Sequence, residues 1–201
     1  MNKIESLFIG AVVPLSLLNI FGGVVSGVWL AILGEWGVIG TGVLALFVSG
    51  MALGLAMMPG LIFSLPAAAM LERGNKIGGY IFTFLSLIYT YGLLIVWSVV
   101  VLIHFTDQAT DSSLIPILIW SYGVATGPIS FLASKDAQSG SDSSALPTLL
   151  LQVAYLAVIL GIIFVEQMSF FNVICTFVLV MSIGLLSQLL ETVQLYSDQS
   201  E

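Results

Sequence analysis

Few residues in this chain could do chemistry, and they are thinly spread. His104, Asp107 and Asp111 follow one another closely enough to gather around one helical end as a metal site. Their spacing matches no established ligand motif, and the plainer alternative is a solvated helix end followed by a loop. Glu72, Arg73 and Lys76 form the densest charge cluster and the only nucleus for gripping a lipid phosphate, a task that usually recruits more basic and acidic groups than these. A single histidine cannot build an HExxH or multi-His zinc set, and no GxSxG is present. Cys175 is the only cysteine, which excludes a disulfide within the chain. No cofactor is expected. Four Lys and Arg against eleven Asp and Glu, with no basic run, argue against nucleic acid and against polybasic attachment to anionic lipid.

The remaining candidates are uncharged. The amides of Asn19 and Gln152 fall inside apolar stretches and must find another helix, water or a ligand, whereas Ser and Thr can bond to their own backbone. Pro59-Gly60, with Pro66 beyond it, and Gly127-Pro128 interrupt two apolar stretches. Backbone groups freed at such breaks are tolerated in a membrane when neighbours satisfy them or when they line a wet cavity. Asn19, Gly60, Thr126, Gly127 and Gln152 are therefore the candidate lining of a cavity or substrate site, with interhelical bonding and static kinks as the alternative reading. No Asp, Glu, Lys or Arg lies deep in an apolar stretch, which weighs against a proton-coupled carrier and against a voltage sensor.

The elements that carry these residues are helices in lipid. Of 201 residues, 59% are hydrophobic and 7% charged, whereas a soluble domain carries about a quarter charged residues. The apolar runs are long and do not alternate, which excludes a β-barrel. The fold expected is all-α: a polytopic integral membrane bundle forming one domain, with about six transmembrane helices at 6–33, 38–58, 77–105, 114–133, 147–165 and 170–190. The second helix is expected to be broken by Pro and Gly, with a short interfacial helix at 61–71, and an acidic cytoplasmic tail is expected at 191–201. Six crossings put Lys3, Arg73, Lys76 and Lys135 on one face, so the positive-inside bias makes both termini cytoplasmic, as in a bacterial inner membrane. Trp29, Trp36, Trp97 and Trp120 then fall toward the opposite face, as interfacial anchors would.

Small residues four apart, at Gly23 and Gly27, Gly50 and Gly54, and Gly123 and Gly127, suit close helix packing, either within the chain or with a membrane-protein partner or second copy. The function expected is non-enzymatic: a small transporter-like facilitator or an accessory subunit of a membrane complex. A membrane-embedded enzyme acting on a lipid at the cytoplasmic interface is the alternative.

Overall fold

The computed structural model describes residues 3–138, 145–165 and 169–198. Side chains at 3–13, 16, 49–50, 52–54, 57, 131–138, 145, 191–192 and 195–198 lie outside that description, as do the loop at 139–144 and Glu166. The described residues form six α-helices: α1 Lys3–Ile32, α2 Trp36–Glu72, α3 Lys76–Thr106, α4 Leu114–Gln138, α5 Ala145–Phe164 and α6 Phe170–Asp198. α3, the 146–164 stretch of α5 and the 170–190 stretch of α6 are long and apolar enough to cross a membrane; α1, α2 and α4 hold shorter apolar stretches among the described side chains.

Two turns share one design. After α1, the Gly34 N–H donates to the Ala31 carbonyl and the Glu35 N–H to the Leu30 carbonyl; after α2, Gly74 donates to Leu71 and Asn75 to Met70. This is the Schellman arrangement, which needs a left-handed residue at its centre. Gly34 and Gly74 supply it with φ of 81° and 77°. Asn75 also caps the next helix, its Oδ1 accepting from the Gly78 N–H at 3.1 Å.

The second apolar block departs from expectation. α2 is one helix of 37 residues that continues through Pro59 and Pro66 rather than a span followed by a separate interfacial helix. At 1.5 Å per residue it is about 55 Å long, well beyond the thickness of a hydrocarbon core of about 30 Å. α6 carries helix on to Asp198, through most of the stretch expected as an acidic tail.

α3 and α4 are the inner helices. α3 packs on α2, α4 and α6, while α4 packs on α1, α2, α3 and α5. The core lies between them and α5 and α6, at Leu94, Phe105, Leu118, Tyr155 and Phe177 among others. The outward faces are also apolar: Phe21, Phe47, Ile77 and Phe171 are each more than 70% exposed. Water would penalise such a surface, whereas lipid tails do not.

The consecutive helices α1 and α2 barely touch, and Trp120 of α4 explains why. A β-carbon at Gly27 on α1 would lie 3.1 Å from the six-membered ring of this indole, and one at Gly42 on α2 would lie 2.0 Å from its Nε1. Trp120 is a wedge held by two glycines. It is not an interfacial anchor, and neither is Trp97, whose Nε1 donates to the Ala125 carbonyl at 3.1 Å. Trp29 and Trp36 are exposed, as expected.

Gly42→Ala should therefore force the indole out of its slot and lower stability by about 1–3 kcal/mol, outweighing the gain in helix propensity. Gly40→Ala, where a β-carbon meets nothing within 4 Å, should be neutral or slightly stabilising. Thermal unfolding of the two variants in the same detergent checks the pair.

Candidate functional site

α4 is apolar over most of its length but carries Ser121, Thr126 and Ser130 toward its neighbours. Each hydroxyl donates to its own helix: Ser121 to the Leu118 carbonyl, Thr126 to Tyr122 and Ser130 to Thr126, all at 2.8 Å. The oxygen of each then accepts from a different helix. Asn19 Nδ2 on α1 donates to Thr126 Oγ1. Gln152 Nε2 on α5 donates to Ser130 Oγ at 2.8 Å, and the Tyr155 hydroxyl, also on α5, donates to Ser121 Oγ at 3.1 Å. One hydroxyl thus satisfies its own proton locally and ties a second helix to α4, the kind of polar contact that joins helices where water exclusion cannot.

α3 also places side-chain donors beside two proline breaks. Pro59 and Pro128 leave the carbonyls of Leu55 and Val124 without their usual helical donor. At both places the next carbonyl along accepts from an aromatic donor on α3. Tyr89 OH donates to Ala56 at 2.7 Å, and Trp97 Nε1 donates to Ala125. Ser86 Oγ adds a bond to the Gly60 carbonyl at 3.3 Å. Side chains of α3 thus brace each helix beside its break, one carbonyl past the one that proline leaves without a donor.

These bonds divide the five candidate residues. Asn19 and Gly127 line one cavity, and Thr126 sits behind it, bonded to Asn19. Gly60 lies elsewhere, under Tyr89 and Thr90. Gln152 is fully buried on α5 and does not line that cavity. Its Oε1 is a buried acceptor without a protein partner, as is the hydroxyl of Tyr122.

The cavity that Asn19 and Gly127 share is a lateral groove of about 550 Å³. α1 and α2 form its walls and α4 its floor, with Gly23, Gly27, Trp36 and Trp120 along it. It is carbon-lined almost throughout. Gly123 faces α1, where a β-carbon on it would make ordinary contact with Asn19 and Gly23, and Gly127 faces Leu46 across to α2. These small residues pack the chain against itself. Gly50 and Gly54 lie outside the described side chains.

The charged candidates are not assembled into a site. His104 is exposed, with its Nε2 3.0 Å from Gln108 Nε2, and Asp107 closes the end of α3. Among the described residues no group of three His, Cys, Asp or Glu is placed to hold a metal, so His104, Asp107 and Asp111 are not drawn together. Glu72, Arg73 and Lys76 are exposed around the α2–α3 turn, and Cys175 is exposed on α6. No known protein family, curated protein or solved structure matches the chain.

Sequence reasoning missed Ser130, Ser121 and Tyr155 as partners, and Trp120 as a wedge. Ser121 and Ser130 were visible as polar positions in an apolar helix, but which helix faces them is a tertiary fact. A double-mutant cycle on Asn19→Ala and Thr126→Val should give a coupling of about 0.6–1.7 kcal/mol, read from reversible unfolding in mixed micelles. Additive effects would mean that this bond does not tie α1 to α4.

Proposed function

We propose that this chain is a multi-pass membrane protein with six crossings and both termini on the face that carries its Lys and Arg residues. In this reading it has no catalytic activity of its own and serves as a packed accessory subunit of a membrane complex rather than as an aqueous facilitator. One observation carries the choice between those two. The polar groups that could have lined a solute path are bonded across helices, Asn19 to Thr126 and Gln152 to Ser130, and the groove beside them is apolar. A path for a polar solute needs accessible donors and acceptors. Here they are engaged in joining α1 and α5 to α4, which favours a rigid interior over a wet one.

The test is thiol accessibility in a Cys175→Ser background, with single cysteines at Thr126 and Gln152 and at the loop positions Arg73 and Asp107. A membrane-impermeant maleimide should leave 126 and 152 unmodified while labelling 73 and 107 from opposite faces of sealed vesicles. Modification of both buried positions would sink the accessory-subunit reading in favour of a water-filled pathway. Labelling of 73 and 107 from one face would sink the threading.

A further inference from the structure

The groove between α1 and α2 has dimensions that select what can enter it. On α1 its lining runs from Asn19 to Ala31, and on α2 from Trp36 to Leu46. The α1 wall spans about 18 Å at 1.5 Å per residue. It begins beside the α1–α2 turn and ends near the middle of α1, a depth close to one leaflet of a hydrocarbon core about 30 Å thick. Spread over that length, 550 Å³ open to the centres of water-sized groups is about 30 Å² in section, roughly 6 Å across for atom centres. Between the walls it is about 9 Å once a radius of about 1.4 Å is added on each side, still narrower than a helix with its side chains at about 10–12 Å. A transmembrane helix of a partner or of a second copy could lie over the mouth but not enter. A single polymethylene chain, whose carbons contact their neighbours at about 3.5–4.0 Å, fits.

The chemistry of the lining agrees. Among the described residues no charged side chain lines the groove. Its deepest polar group, Asn19, directs its amide nitrogen away to Thr126. At the shallow end stands the exposed indole of Trp36, a residue type that settles at the headgroup boundary. The groove is held open from within, because Trp120 occupies the space between Gly27 and Gly42 and prevents α1 and α2 from closing on each other. We infer that the groove is a binding site for one acyl chain of a phospholipid from the leaflet on the α1–α2 turn side. The chain lies along Gly23 and Gly27 with its headgroup near Trp36. This inference goes beyond the accessory-subunit reading and rests only on the chain being embedded in lipid.

Gly23 gives the test its handle. A β-carbon there meets nothing within 4 Å, so Gly23→Leu can fill the groove without displacing the bundle. Native mass spectrometry of the full chain, released from mild detergent, counts retained lipid. Palmitoyl-oleoyl phosphatidylglycerol is then added back as the probe. Wild type should hold one phospholipid through activation that strips annular lipid, and Gly23→Leu should lose at least ten-fold of that bound fraction at unchanged helical content. If Gly23→Leu does not fold, Ile20→Trp on the exposed rim of the groove replaces it. Three results would each overturn the site: no retained phospholipid on wild type, a retained molecule of another class, or equal retention in the variant. None of them bears on the dry interior, which is tested at Thr126 and Gln152.

Discussion

Within the hydrocarbon of a bilayer no water is available to accept or donate, so every buried polar group must be answered by protein. This chain meets that demand for Asn19, Thr126, Ser130 and the Gln152 amide nitrogen, while Gln152 Oε1 and the Tyr122 hydroxyl stay without a protein partner. α4 answers through hydroxyls used twice, once on their own carbonyls and once toward α1 and α5. α3 places Tyr89 and Trp97 beside the breaks at Pro59 and Pro128, each on the carbonyl just past the one that proline strips. The two most deeply connected helices are therefore also the two that supply or organise the polar bonds. Each such bond is worth only about 1 kcal/mol. Their value is positional, since an unanswered group in lipid would cost several times more than a bond gains.

Packing supplies the second half of the account. Lipid tails are as apolar as leucine, so these helices gain nothing from hiding apolar surface and instead gain from close approach. Between α1 and α4 the contact runs beside Gly123 and carries the Asn19 to Thr126 bond. Trp120 does the opposite for α1 and α2, spreading them by the thickness of an indole that only glycine at 27 and 42 can accommodate. One contact brings α1 onto α4, the other keeps α2 away from α1, and the groove is the geometric remainder. The same residues thus account for the tight part of the bundle and the open part.

Much of this was legible in the sequence, at the level of elements. Asn19 and Gln152 stood out because their amides must find a partner beyond their own helix. The helical class followed from apolar runs too long for strands. Other features depended on partners that no local pattern encodes. Pro59 suggested a break in α2, but Tyr89 and Ser86 of α3 support the backbone there, and the helix runs on to Glu72. Trp97 and Trp120 read as interfacial anchors because indoles favour that depth, yet one bonds to a carbonyl of α4 and the other separates two helices. His104, Asp107 and Asp111 were close in sequence, but the end of α3 does not bring them together.

The central claim is that Asn19, Thr126, Ser130 and the Gln152 amide nitrogen are spent on one another and not on water. Water-edited solid-state NMR on the unmodified protein in bilayers reads this without substitution, by following magnetisation from water to individual side chains. The account predicts no early transfer to the amide of Gln152 or to the side chain of Thr126 at mixing times that already light up Asp107 to Ser112. Transfer to Gln152 and Thr126 as rapid as to that loop would contradict it, and would mean that the polar core of α4 is a wet path.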